Sequence, residues 1–255
     1  MAEKTGLRKK YIVGNWKMNP TSASDAKKIW NGLAARAGKF GQTEAIICPP
    51  TIFMGLLGKK GKLKLGGQDA FYELEGAHTG SISPSMLKSL GAEYVIIGHS
   101  EKRKGGDTDE IINKKIKTAL KEGLKVIFCV GEEVRDEKGE YLKELTRQIA
   151  AGLAGVPRQQ FGNLLLAHEP VWAIGAAAKG ADSPAGFEHN RLFIKKVLAD
   201  LAGKKTGLAV PILYGGSANA GNAGAFLHEA GADGLLVGRA SLSPIDFAKI
   251  IEIAN

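Results

Sequence analysis

The sequence predicts an α/β protein, a (β/α)8 barrel built as a single domain over residues 1–255. Three observations carry this expectation. Eight short apolar runs rich in branched residues recur along the chain, helical patterns stand between them, and 255 residues match the roughly 250 that eight such units need. The runs are nearly continuous in hydrophobicity rather than alternating, as strands of a parallel sheet covered on both faces must be.

The first run, "YIVGNW" from residue 11, leads into "TSASDAKKIWNGLAARAG", a helical pattern with Ser, Thr and Asp at its start. "EAIICP" near 44 is the second strand and "LKLGG" near 63 the third. A long loop follows, "QDAFYELEGAHTGSIS" (68–83), too apolar to be a free surface excursion. The fourth strand, "EYVIIG" near 93, precedes the helix "DTDEIINKKIKTALKEG", and the fifth, "KVIFCV" near 125, precedes "YLKELTRQIAAGLAG". "NLLLAH" near 163 is the sixth, with "NRLFIKKVLADLAGKK" behind it. "AVPILYGG" near 209 and "GLLVG" near 234 complete the set. Several of the helices close on glycine, the residue best suited to a helix C-terminus. An open doubly wound sheet is the alternative architecture, but its glycine-rich turn is replaced after the first strand by "GNWKMNPTS".

Composition narrows the function. Hydrophobic residues make up 44% and charged residues 24%, the balance of a globular chain with a full core. No apolar run approaches the roughly 18 residues of a membrane span, and the N-terminal stretch lacks a secretory apolar core. Two cysteines, Cys48 and Cys129, make neither a disulfide framework nor a metal set, so a cytoplasmic location is expected. The net charge of +9 favours anionic partners. Those could be nucleic acid, an anionic membrane or a phosphorylated metabolite. The basic residues are scattered and no aromatic ladder accompanies them as a single-strand nucleic-acid platform requires, so a solvated surface accounts for most of them. The five histidines show no metal-ligand spacing, and neither a metal nor a cofactor is expected.

In a barrel of this kind chemistry collects at the C-terminal ends of the strands. Polar residues gather there: Asn15 and Lys17 after the first strand, His99, Ser100 and Glu101 after the fourth, Glu169 after the sixth, Gly215, Gly216 and Ser217 after the seventh, Gly238 and Arg239 after the eighth. A lone strand-end His or Glu is more often a structural hydrogen-bonding residue; convergence on one rim is what points to a site. A carboxylate, an imidazole and an ammonium in one dry mouth suit proton transfer beside a carbonyl, with Glu169 as base, His99 polarising the oxygen and Lys17 stabilising enolate charge. "YGGSANAGNA", read as opening a helix, and "VGRASLSP" offer adjacent amide-rich turns for a phosphate.

Seven ordered motifs, "GNWKMN", "GAHTGSISPSML", "YVIIGHSEKR", "CVGE", "EPVWAIG", "YGGSAN" and "LLVGRASL", resemble those of the triosephosphate isomerases over nearly the whole chain. The resemblance implies interconversion of dihydroxyacetone phosphate and D-glyceraldehyde 3-phosphate through an enediolate. Glu169 would shuttle the proton, and His99 would donate as a neutral imidazole above a short helical turn starting near Ser100. Asn15 and Lys17 would bind substrate, with Glu101 positioning Lys17. Gly175, Ser217, Gly238 and Arg239 would hold the phosphate. Pro170, Val171, Trp172, Ala173, Ile174, Gly175, Ala176, Ala177, Ala178, Lys179 and Gly180 would form a lid that excludes water, closure for which this family is itself a standard case. The third loop, with Thr79 at its tip, would insert into a second subunit of a homodimer.

The chain departs from the family in places. "AAAKGADSP" replaces the usual Thr-Gly-Lys-Thr-Ala and is about two residues longer; His168 stands where Tyr commonly precedes the base; Asp107 stands near a usual Glu. Asp69, Ser81 and Lys102 replace the more usual Asn, Glu and Arg near the subunit contact. The longer lid keeps open a tetrulose phosphate isomerase as an alternative. A non-catalytic barrel recruited for binding fits less well with retention of Lys17, His99 and Glu169 together.

Overall fold

A computed structural model describes residues 9–58, 61–136, 138–174 and 182–255. Strands β1 (Tyr11–Asn15), β2 (Glu44–Cys48), β3 (Leu63–Gly67), β4 (Ala92–Ile97), β5 (Lys125–Val130), β6 (Leu164–His168), β7 (Ile212–Tyr214) and β8 (Gly234–Val237) pair in parallel in chain order and close into a barrel. Tyr11 opens the register on both sides of β1, opposite Glu44 on β2 and Gly234 on β8. This is the predicted fold.

Helices pack around the strands: α1 (Ala23–Ala34), α2 (Thr51–Leu57), α3 (Pro84–Ser89), α4 (Ser100–Lys104), α5 (Asp109–Lys121), α6 (Tyr141–Gly152), α7 (Pro184–Ala202), α8 (Lys204–Ala209) and α9 (Pro244–Ile253). Four of the longer ones have starts fixed by a side-chain cap, α1, α5, α7 and α9. Ser22, Thr108, Ser183 and Ser243 each accept a backbone N–H of the first helical turn, a cap worth about 1 kcal/mol apiece.

The strands bury both faces, which explains their unbroken hydrophobicity. Val13, Ile46, Cys48, Tyr94, Ile96, Ile127, Cys129, Leu165, Ala167, Leu213 and Leu236 fill the barrel's interior as one cluster. The alternate positions, such as Ile12, Ile47, Val95, Phe128 and Leu166, join the helices in a larger outer core. One predicted boundary moves: β7 starts at Ile212 rather than near 209, because Lys204–Ala209 forms α8. Gly207 makes that helix possible. A Cβ there would lie 2.3 Å from the backbone of Leu198, so α8 can approach α7 only at a residue without a side chain.

The "YGGSANAGNA" turn also differs from expectation. It leads through turns into a short π-helical segment, Ala225–Glu229, and not into a regular helix. No helix among the described residues is long and apolar enough to cross a membrane.

Candidate active site

Each element delivers its functional side chain for a local reason. After β1 the chain turns sharply: Lys17 sits at φ 52°, and its N–H donates to the Asn15 side-chain oxygen at 3.0 Å. Gln68, from the end of β3, clamps the turn by donating from Nε2 to the carbonyls of Lys17 and Cys48, both at 2.8 Å. The ammonium of Lys17 then reaches Glu101 at 2.6 Å. Burial works against the Glu101 carboxylate, but the bond and charge of Lys17 outweigh it and hold its pKa below the ordinary value.

His99 is the N-terminal cap of α4, and its Nδ1 accepts the Glu101 N–H at 3.1 Å. With the lone pair at Nδ1 engaged, the ring's proton is assigned to Nε2. That nitrogen faces Glu169 Oε1 at 3.1 Å, and the other carboxylate oxygen accepts the Ser100 N–H at 3.0 Å. Glu169 is 2% exposed, and the Cys129 thiol lies against it from inside the barrel. The expected contact between base and imidazole is therefore present, and Lys17 joins them through Glu101. Asn15, Lys17 and His99 line a cleft of about 570 Å³, together with Phe71, Tyr72 and Gly80 of the third loop.

The backbone of Glu169 is held as firmly as its side chain. Its N–H donates to the Val130 carbonyl at 2.8 Å, while the Gly215 N–H donates to the His168 carbonyl at 2.8 Å. Gly131 permits this approach: a Cβ there would lie 1.7 Å from the Glu169 carbonyl oxygen. Ser217 is exposed and donates to the Ala173 carbonyl at 3.0 Å, which ties the seventh-strand turn to the expected lid. Gly238 and Arg239 lie at the start of a 3-10 turn, Arg239–Leu242, with the Arg239 side chain in solvent.

Pro170 is buried and is followed by a 3-10 turn, Val171–Ala173. The expected phosphate contact Gly175 and the lid residues Ala176, Ala177, Ala178, Lys179 and Gly180 lie outside the described residues. In the third loop Thr79 is exposed, Phe71 packs on Tyr72 and His78 with ring centroids 4.2 and 4.5 Å away, and the loop closes through the Phe71 N–H to Ile82. Two departures from the family compensate each other: Asp69 pairs with Lys102 at 3.1 Å. The buried Lys115 bridges Asp69 and Asp107 at 2.9 and 2.6 Å.

Sequence reasoning passed over a second tier. Glu132 appears there only as the last letter of "CVGE", yet it is 1% exposed and receives bonds from His168, Trp172 and Arg135. Arg103, which bonds the carbonyls of Gly98 and Cys129 and the carboxylate of Asp109, likewise appears there only as the last letter of "YVIIGHSEKR". The Tyr214 hydroxyl accepts the Asp182 N–H at 3.2 Å. Among these, only a polar side chain on an otherwise apolar strand, His168 or Tyr214, was visible in advance.

A closed parallel barrel with a buried acid, a buried imidazole and a half-buried lysine gathered on its C-terminal rim defines an enzyme of the (β/α)8 class. The family model described as triosephosphate isomerase matches residues 10–254. The chain belongs to the triosephosphate isomerase family, and the enzyme is accordingly an isomerase. It is 41% identical to the triosephosphate isomerase of Dictyoglomus thermophilum, over 96% of this chain and all of that one. Identity is also 41% with that of Citrifermentans bemidjiense, over 98% of this chain and all of the relative. The crystal structure of triosephosphate isomerase from Bartonella henselae superposes with a TM-score of 0.84 at 34% identity, covering 96% of this chain and 98% of the other.

Proposed function

We propose that the protein, working as a single catalytic domain, interconverts dihydroxyacetone phosphate and D-glyceraldehyde 3-phosphate through an enediolate. The observation that carries this is the Glu169 carboxylate against the Nε2 donor of His99 at 3.1 Å, with Lys17 held beside them by Glu101. A substrate oxygen accepting from Nε2 replaces the carboxylate there and leaves Glu169 against the adjacent carbon. Glu169 takes a proton from that carbon and returns it to the neighbour. The hydroxyl proton meanwhile passes from one substrate oxygen to the other by way of His99 Nε2, which gives its proton to one and regains one from the other. The charge that develops on oxygen meets the neutral imidazole donor, and the Lys17 ammonium offsets it in a site of low dielectric.

Amides of the turns at Ser217, Gly238 and Arg239, with Gly175, hold the phosphate, so the exposed Arg239 side chain need not enter the site. Residues 170–180 act as the lid. Excluding water also protects the enediolate from losing its phosphate. The apolar third loop covers a second copy of the chain, with Thr79 entering the cleft beside Asn15 and Lys17, in a cytoplasmic homodimer.

The test is turnover of glyceraldehyde 3-phosphate and of erythrulose phosphate by the wild type and by Glu169→Ala. The triose is expected to be the better substrate, and the variant is expected to lose about three powers of ten or more in kcat. Equal rates in both proteins would remove Glu169 as base, and preference for the four-carbon ketose would reassign the substrate.

A further inference from the structure

Where the root of the third loop meets α4 and α5, four charged groups gather that the proposed chemistry does not use. Asp69 opens the loop, Lys102 lies in α4, and their side chains pair at 3.1 Å. Lys115, buried on α5, places its ammonium 3.0 and 2.9 Å from the two oxygens of Asp69 and 2.6 Å from Asp107. Asp107 closes the turn after α4, its N–H donating to the Lys102 carbonyl at 3.1 Å. Two carboxylates thus face two ammonium groups, and the burial of Lys115 is offset by partners on both sides. Thr118, one helical turn further along α5, donates its hydroxyl to the Tyr72 carbonyl at 2.8 Å and ties down the same loop.

What the cluster joins is the pair of supports for Lys17. The residue before Asp69 is Gln68, which holds the Lys17 carbonyl, and the residue before Lys102 is Glu101, which holds the Lys17 ammonium. One connection therefore positions the backbone of Lys17 and another its charge. Glu101 is an exposed side chain, and an exposed ion pair fixes little by itself. The contacts of Asp69 with Lys102 and Lys115 set how the two connections stand to each other. Asp69 and Lys102 are both positions at which this chain departs from its family, so the pairing is a property of this sequence.

We propose that Asp69 is a positioning residue for the isomerisation that acts through Lys17, by locking the root of the third loop against α4. The role rests on reading Lys17 as the cation that offsets charge on the substrate. Without the Asp69 carboxylate the cluster keeps two ammonium groups and one carboxylate, and the excess cation drives the two connections apart. The Lys17 ammonium is then no longer fixed where the substrate meets it, and a small misplacement of a charge-stabilising group weakens binding and chemistry alike.

The experiment measures kcat and KM for glyceraldehyde 3-phosphate with Asp69→Asn, Lys102→Met and the double variant, and repeats Asp69→Asn in a Lys17→Ala background. Thermal melting and sedimentation on each protein read unfolding and subunit dissociation separately. Asparagine keeps the shape of Asp69 and removes its charge. The expected result for Asp69→Asn is a loss of about fivefold or more in kcat/KM, with KM raised, in protein that is folded at the assay temperature and sediments as wild type does. The double variant is expected to lose no more than Asp69→Asn alone, because both substitutions cut one pair. In the Lys17→Ala background the Asp69 substitution is expected to cost less than about twofold, since the group it positions is gone. Lys102→Met, at an exposed side chain, carries the test where Asp69→Asn does not fold: KM rises if the pair positions Lys17, and an unchanged KM refutes it. Four further results would overturn the proposal: kcat/KM for Asp69→Asn within about twofold of wild type, an undiminished loss in the Lys17→Ala background, single losses that multiply in the double variant, or a fall in kcat alone that follows the unfolded or dissociated fraction. Failure of the isomerase reading looks different, since wild type itself would then leave the triose phosphate unconverted.

Discussion

At Lys17 the backbone occupies the left-handed region, a conformation that costs a non-glycine residue about 1–3 kcal/mol, and bonds from Asn15 and Gln68 hold it there. Strain stored at a residue that carries the ammonium is the mark of a position chosen for chemistry. Glu132 shows the opposite economy. Burial opposes its ionisation, but bonds and charge from His168, with the bond from Trp172, hold its pKa at about 2, against 4.5 unperturbed. A depressed carboxylate contributes stability that is complete above the unfolded value and is lost as pH falls through the folded one. The stability difference between wild type and Glu132→Gln, measured by urea unfolding, is therefore expected to be on the order of 3 kcal/mol near neutrality and to shrink between pH 4.5 and about 2. A difference that does not change over that range would mean that Glu132 acts only through its shape. The base, the imidazole and the lysine were legible because their types are costly at strand ends and occur in recognisable strings. Arg135 and Asp182 were not, since they meet across two different connections and a surface-like "EEVRDEKGE" gives no hint of burial.

Between elements, the decisive contact is the end of β5 against the end of β6. The Glu169 N–H to Val130 bond and the absence of a side chain at Gly131 bring the two strand ends together, so the base inherits its position from β5 as much as from its own strand. Gly131→Ala places a carbon 1.7 Å from a backbone oxygen that cannot rotate away. It is expected to lower stability by about 3 kcal/mol or more and to cost activity in whatever fraction remains folded, read by calorimetry beside a coupled assay. Strands were the legible elements: continuous apolar runs placed seven of the eight starts within a residue, all but β7. The β7 start moved because "GKKTGLA" reads as a basic surface turn, and only the close approach of Gly207 to Leu198 makes it a helix. The π-helical segment after β7 was hidden for a related reason, as the "NAGNAG" composition suits a turn and a helix start equally.

Over the whole molecule, closure of β8 onto β1 is what brings residues 17, 99 and 169 to one rim, and no local pattern contains that information. It came from counting eight units, a property of the entire chain. The third loop and its cleft beside Asn15 and Lys17 lead to an expectation at the same scale: sedimentation at micromolar concentration gives a dimer, and Thr79→Arg shifts it towards monomer with loss of activity. A wild type that sediments only as monomer would defeat the homodimer. The interior cluster has a last consequence. Cys48 and Cys129 are wholly buried there, and burial pushes both thiols above their ordinary range, so a reagent in solution meets them only when neighbouring staves part. Their labelling is expected to be slow and to time the rare opening of the cylinder, and to slow further when a ligand fills the mouth, because binding favours the closed form.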